Sequence, residues 1–375
     1  MVKKEIVVIG AGASGLMAAS RYRDRDIVIL EANDRIARKI AISGGGRCNI
    51  TNRDLSVENY LGDRAFIAPI LANFDQHALL AWLHARGLDP IIRKERQYFC
   101  PKDAHQLIQL LQKACHGVPI VTGCRVSSLQ REEEGFVIET TKGGYLAQKV
   151  VVAAGGMSFP KIGATPVAFE IAEAFGHRIV PLRPALVGFT LQREQFWMKA
   201  LSGISLDVVV RVSGKSIRGE LLFAHRGISG PAILNSSLYW QKGQIEIDFM
   251  PSRRIEDLLQ SRKLLSTVTG LPRRFAKAFL DAVGVADKPA SQADAEDRAK
   301  LARLHVYRFA PAGNFGYAKA EVTAGGISTD EIDPQTMESR LCPGLYFLGE
   351  ALDVTGELGG YNFQWAFATA QRVAL

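Results

Sequence analysis

The chain has 375 residues, 47% of them hydrophobic and 22% charged, with 46 Lys and Arg against 38 Asp and Glu for a net charge of +8. That length exceeds what one hydrophobic core ordinarily serves, and the balance excludes disordered and collagen-like chains, so two or three globular domains are expected. No apolar run reaches the roughly 18 residues that span a bilayer. Met1-Val2-Lys3-Lys4-Glu5 leads directly into an apolar stretch, so neither a signal peptide nor an anchor is expected. The five cysteines, Cys48, Cys100, Cys115, Cys124 and Cys342, form no CxxC pair, which points to a reduced cytosolic protein without a zinc site. The basic residues are scattered and not interleaved with aromatics, so a small anionic ligand is expected rather than nucleic acid.

Residues 5–9 are an Ile and Val run closed by Gly10, residues 14–23 read as a helix with Ala and Leu on its buried side, and residues 27–30 are a second apolar run. Strand, glycine turn, helix and strand within about thirty residues is the length of a parallel unit with a crossover helix. Helices are expected around 65–73, 77–86 and 105–115, then strands at 119–128, 135–140 and 150–154, with a solvated hairpin turn at 132–135. After Pro181, alternation at 187–191, 205–212 and 245–249 predicts antiparallel strands, with Gly214 and Gly243 at turns. Residues 254–303 read as charged and helical, broken at Gly270-Leu271-Pro272 and near Pro289. Strands return after Val306, and the chain closes on a strand at 344–349, a glycine-rich turn and a helix at 362–373. An α/β element at each end predicts one discontinuous domain, 1–183 with 310–375, interrupted by a β-rich insert at 184–252 and a helical insert at 253–309.

Gly10-Ala11-Gly12-Ala13-Ser14-Gly15 is a GxGxxG motif set between a predicted strand and a predicted helix. Gly10 permits the tight turn, Gly12 lets a pyrophosphate approach the backbone, Gly15 lets helix and strand pack, and the helix start offers free N–H groups. Glu31 ends the second strand about twenty residues on, where an acid accepts from a ribose diol. This much does not separate NAD from FAD. Residues 38–52 add a loop with Arg38, Lys39 and Arg47, three consecutive glycines at Gly44, Gly45 and Gly46, and small polar side chains, suited to a flat polyanionic ligand. A third element runs from Gly344 to Gln364: a strand ending at Gly349-Glu350, then Gly359-Gly360, then a helix start. A plain NAD domain does not need it, whereas FAD is long enough to reach it. Glu350 or Asp353 is placed to bind ribityl hydroxyls, and the N–H groups from Gly360 to Asn362 to face the flavin pyrimidine edge. The buried run 150–154 ends at Gly155-Gly156, where backbone passes close to a ligand.

These strings, IVVIGAGASGL, RKIAISGGGRCNITN, VVAAGGMSFPKIGAT, FAHRGISGPA, GNFGYAKAEVTAGGISTDEIDPQTMES and PGLYFLGEALDVTGELGGYNFQ, together resemble the BaiN/YhiN-type FAD-dependent flavoproteins over nearly the whole chain. The resemblance implies a Rossmann-like, two-part FAD-binding domain interrupted by an antiparallel β-barrel-like domain and a small helical domain. It implies FAD contacts at Gly10, Gly12, Ala13, Ser14, Gly15, Glu31, Ala32, Lys39, Ser43, Gly44, Gly45, Gly46, Arg47, Cys48 and Asn49. Further implied contacts are Val126, Ala154, Gly155, Gly349, Glu350, Gly360, Tyr361, Asn362 and Gln364. The chain departs from the family pattern at Pro166-Val167-Ala168, where a glycine and a polar residue commonly follow Gly-Ala-Thr. Activities implied by the resemblance range from reduction of steroid-like enones to oxidation of small amines, and the substrate does not transfer.

With flavin bound, hydride chemistry belongs to the ring and the protein supplies placement, polarity and exclusion of water. His225, among glycines in Phe223-Ala224-His225-Arg226-Gly227, is the candidate polar group for the substrate side, set against a packed structural histidine. Cys48 reads as a small packed side chain, because no CxxC partner is present to make it a redox thiol. A second GxGxxG is missing, so NADH or NADPH is expected to visit transiently rather than reside. The expected function is an FAD-dependent oxidoreductase acting on a small organic molecule, without a metal. The alternatives are an NAD-dependent dehydrogenase and a flavin-holding module associated with RNA.

Overall fold

The computed structural model describes residues 1–94 and 96–375. Strand β1 (Val2–Ile9) runs parallel to β2 (Ile27–Leu30) on one side and to Tyr145–Val152 on the other. Its Ile6-Val7-Val8-Ile9 end is fully buried, which accounts for a continuous apolar run where a half-exposed strand would alternate. Helix α1 (Ala13–Arg21) provides the crossover between β1 and β2. Ile120–Val121 extends the sheet beyond β2, and Leu345–Phe347 pairs in parallel with Tyr145–Val152. The hairpin Val126–Glu132 and Gly135–Thr140 completes seven strands.

Two segments differ from the reading of the sequence. Residues 119–128 are not one strand: left-handed Gly123 turns the chain between Ile120–Val121 and Val126–Glu132, and the Cys124 N–H donates to the Glu31 carbonyl. Residues 38–52 are not simply a loop. They begin as helix α2 (Arg38–Gly46), with Ile40 buried, until extended Ser43 and left-handed Gly44 and Gly45 break it. They then end as strand β3 (Asn49–Asn52), which pairs with Gln97–Phe99.

The described chain divides into two compact units, residues 1–184 with 322–375, and residues 185–321. In the first, the strand Ile179–Ala185 pairs with Val322–Ile327, so the points where the chain leaves and re-enters this unit lie side by side. The closing helix Tyr361–Arg372 packs on α1, with Trp365 fully buried. The second unit holds a seven-stranded antiparallel sheet, ordered Tyr307–Phe309, Ile245–Asp248, Ser205–Val212, Lys215–Ala224, Gly227–Ser229, Phe189–Thr190 and Gly313–Asn314. Helix Arg273–Val283 buries Phe275 and Phe279 against Tyr307 of that sheet and Phe249 just past its strand Ile245–Asp248, so strands and helices share one apolar core. Of residues 187–191 only Phe189–Thr190 is strand, because Leu186 takes a left-handed turn just before them.

Candidate functional site

At the end of β1 the backbone crowds itself. A Cβ on Gly15 would sit 1.9 Å from the Gly10 carbonyl oxygen, and one on Gly10, itself at φ +105°, would lie 2.5 Å from that of Ala153. Gly12 differs: nothing lies within 4 Å of where its Cβ would be. It sits at the start of α1, which no side chain caps, so the N–H groups of Ala13, Ser14 and Gly15 at the positive end of the helix have no capping acceptor. A helix start of this kind is suited to a pyrophosphate.

Glu31 is buried, and both carboxylate oxygens are engaged. Oε2 accepts from the Ala11 N–H at 2.8 Å, while Oε1 accepts from the Asn33 backbone and side-chain N–H groups at 2.8 and 2.7 Å. Glu31 thus holds the glycine turn against the loop carrying Ala32 and Asn33, and its remaining lone pairs are what a ribose could use. Arg38 reaches Asn33 Oδ1 at 3.1 Å, and Ala37 donates its N–H to the Ala11 carbonyl at 3.0 Å, tying α2 to the same turn.

The C-terminal segment converges on this region. Leu348 donates its N–H to Val152, and a Cβ on Gly349 would lie 3.0 Å from Ser14 Oγ. Gly349 is clamped by Thr369 Oγ1, which accepts its N–H at 3.1 Å, and by Trp365 Nε1, which donates to its carbonyl at 3.2 Å. Glu350 Oε2 accepts from Lys39 Nζ at 2.5 Å, and Oε1 accepts from the Thr323 N–H at 2.9 Å. Gly360, at φ +95°, starts the closing helix directly on β3, where a Cβ would stand 2.7 Å from Thr51 backbone atoms. Asn49, in the amide orientation that satisfies both ends, accepts from the Gly360 N–H at 3.2 Å. Arg47, Gly44 and Gly45 are exposed, Ser43 bonds back to the Ile40 carbonyl, and Gly46 ends α2. Ala154 and Gly155 are half-buried at the end of Tyr145–Val152, and the Cβ position of Gly155 is open.

Several of the expected contact residues have side chains engaged within the fold. Gln364 is fully buried, with Oε1 accepting from Thr51 Oγ1 at 2.7 Å and Nε2 donating to the Phe74 carbonyl at 2.8 Å. Its side chain has nothing left to offer a ligand. Asn362 braces Gly356 through both ends of its amide, and the Tyr361 hydroxyl donates to the Asp54 carbonyl. Val126 is buried at a bulge, and Cys48 is buried beside Cys100. Asp353 is half-buried, and burial raises its carboxyl above the ordinary range against the pull of Arg183 and Arg178. His225 is exposed at the turn between Lys215–Ala224 and Gly227–Ser229, so it is not a packed structural histidine. Among the described residues no group of three His, Cys, Asp or Glu is placed to hold a metal, and no helix is long and apolar enough to cross a membrane.

Thr323 ties the site together from a position that neither the GxGxxG motif nor a charge marks. Besides binding Glu350, its Oγ1 accepts from the Met157 N–H at 2.8 Å, which joins the glycine-ended strand to Glu350. The signal lay in EVTAGGI: Gly325 and Gly326 let this segment pass so tightly that Cβ atoms would fall 2.3 Å from the Pro181 oxygen and 2.6 Å from that of Ala351.

A glycine turn at a helix start, completed by a strand and helix from the far end of the chain, is the two-part Rossmann-like arrangement of the FAD-dependent oxidoreductases, and this chain is of that class. More narrowly, it belongs to the HI0933-like family, whose Rossmann-domain model matches residues 4–375. It is 37% identical to the ribosomal RNA dihydrouridine synthase of Haemophilus influenzae, across 99% of this chain and 98% of that protein. It is 31% identical to the 3-dehydro-bile acid delta(4,6)-reductase of Clostridium scindens, across 97% and 96%. The fold is also that of a 3-ketosteroid-delta4-(5alpha)-dehydrogenase from Rhodococcus jostii, with TM-score 0.50 at 15% identity over 98% of this chain and 97% of that one.

Proposed function

We propose that this chain saturates a carbon–carbon double bond conjugated to a carbonyl, using FAD held between the glycine turn and the Gly349–Gly360 segment, with a uracil of RNA as its substrate. The carrying observation is the relative named for dihydrouridine synthesis, which matches this chain end to end. The uracil 5,6 double bond is conjugated to the C4 carbonyl, so hydride addition at C6 and a proton at C5 complete the reduction. Bound FAD, once reduced by a passing NADH or NADPH, would supply the hydride.

The chain's own groups would serve binding and placement. The N–H groups of Ala13, Ser14 and Gly15 would hold the pyrophosphate at open Gly12, and the spare lone pairs of Glu31 a ribose. Lys39 and Glu350 would meet the ribityl chain, and Arg47 offers an exposed cation on the same segment. An RNA partner departs from the expectation drawn from the scattered basic residues; what favours it is that residues 185–321 hold 20 Lys and Arg against 13 Asp and Glu, and so carry nearly all of the chain's surplus. Five free cysteines and an RNA substrate fit the cytoplasm.

A small organic enone is the second reading, favoured by the bile-acid reductase relative. The deciding experiment gives FAD-loaded protein and NADH or NADPH either an unmodified ribosomal RNA transcript or a steroid 4-en-3-one, and follows product mass. Dihydrouridine in the RNA, suppressed by rising salt, supports the first reading. Turnover of the steroid alone supports the second. Protein that purifies colourless and takes up no flavin overturns both.

A further inference from the structure

No CxxC spacing marks a thiol pair, yet folding makes one. Strand β3 pairs with Gln97–Phe99 in antiparallel register, Asn49 opposite Phe99, which sets Cys48 across from Cys100. The Cys100 N–H donates to the Cys48 carbonyl at 3.3 Å, and both side chains are fully buried. Cys48, at φ +49°, and Cys100 lie one residue beyond the paired strands, and this N–H···O contact keeps their backbones within the reach of a disulfide. Cys100 also lies just before helix His105–Ala114, whose first-turn Leu107 N–H points to its sulfur.

We propose that Cys48 and Cys100 are a site of reversible oxidation by hydrogen peroxide, closing to a disulfide that fastens the α2–β3 segment to the strand Gln97–Phe99. The two sulfurs are unlike. A hydrogen bond from Cys48 and the Leu107 N–H hold the Cys100 thiol below its ordinary range, while that same pairing and burial push Cys48 well above its own. Cys100 is therefore the nucleophile and Cys48 the proton-bearing partner. The Cys100 thiolate attacks one peroxide oxygen, the O–O bond breaks, and Cys100 sulfenic acid and one water result. Cys48 sulfur then attacks Cys100 sulfur, forming the S–S bond and releasing the second water. Two thiols lose two electrons and two protons, and one peroxide becomes two waters. Burial of both sulfurs excludes bulky reagents and leaves a small oxidant of this kind.

The test uses the folded, FAD-loaded protein, treated with peroxide, quenched, and alkylated after denaturation. The expected result is loss of two of the five free thiols, a mass decrease of about 2 Da, and a linked peptide joining Cys48 to Cys100, all reversed by dithiothreitol. Cys100→Ser should abolish the link. Cys48→Ser should also abolish it, and should leave Cys100 at sulfenic acid or beyond. Five thiols remaining in the wild-type protein, or a link involving Cys115, Cys124 or Cys342, overturns the proposal, and that readout stands even where a variant fails to fold.

Discussion

Lys39 Nζ stands 2.5 Å from Glu350 Oε2, although 311 residues separate them in the chain. The other oxygen of the same carboxylate takes the Thr323 N–H, and Gly156 passes so near that a Cβ there would lie 2.7 Å from it. Glu350 is thus a fixed post where the two ends of the first unit meet, and the proposed ribityl contact depends on its position as much as its charge. Glu350→Gln keeps an acceptor for Thr323 and gives up the attraction for Lys39. Glu350→Ala gives up both. FAD affinity should fall about tenfold or more in the alanine variant and only a few-fold in the glutamine variant, measured by flavin fluorescence titration. Full affinity in both would remove Glu350 from the cofactor site.

Two glycines of one motif should respond in opposite ways to the same substitution. Gly15→Ala drives a methyl to 1.9 Å from the Gly10 carbonyl, backbone against backbone, and should cost more than about 3 kcal/mol of stability. Gly12→Ala meets nothing within 4 Å, and its φ of −88° suits alanine. The Gly12 variant should lose no more than about 1 kcal/mol without FAD, the cost of alanine at a helix N-cap, and bind FAD far more weakly. Urea unfolding of the cofactor-free proteins, set beside flavin titration, checks both halves. Unchanged FAD binding in Gly12→Ala would mean the pyrophosphate lies elsewhere.

The sequence carried the glycine turn, Glu31 and the convergence of the chain's two ends, because backbone approach and strand burial leave compositional marks: glycines where no Cβ fits, and unbroken Ile and Val where both faces are covered. It did not carry direction. Gln364 sits inside a string of glycines and polar residues that reads as ligand-facing, yet it points into the core, because its position on the closing helix faces β3 and Phe74. Cys48 seemed partnerless because its partner lies across a strand pair, 52 positions on. Thr323 was invisible in its role, since a threonine amide bonding a distant glutamate leaves no spacing to read.

That inward orientation makes Gln364 a test of framework against contact. Gln364→Leu keeps bulk and apolar packing but strands the Thr51 hydroxyl and the Phe74 carbonyl in the core. Leaving buried groups unpaired costs about 1 to 3 kcal/mol each, so urea and thermal unfolding should show a clear loss of stability in cofactor-free protein. A variant of parental stability that binds FAD poorly would return Gln364 to the ligand surface.

His177 gives the first unit a pH dependence whose sign follows from its surroundings. The ring is buried against Phe347, with one nitrogen 2.8 Å from Ser339 Oγ and the other 3.1 Å from a Glu331 oxygen. Burial disfavours the charged imidazolium more than Glu331 favours it, so its pKa in the folded protein lies below the ordinary histidine value. The unfolded chain therefore takes up this proton first as the solution is acidified. Stability from His177 is complete above the ordinary value near 6.5 and declines as pH falls through the window below it, by at most about 1.4 kcal/mol per pH unit for one proton. His177→Gln preserves a donor and an acceptor but cannot titrate. Urea unfolding at several pH values between about 7.5 and 5 should show the parent losing stability more steeply than this variant. Parallel curves would mean that Glu331 just offsets burial, and a parent that loses less stability than the variant on acidification would mean that Glu331 outweighs it.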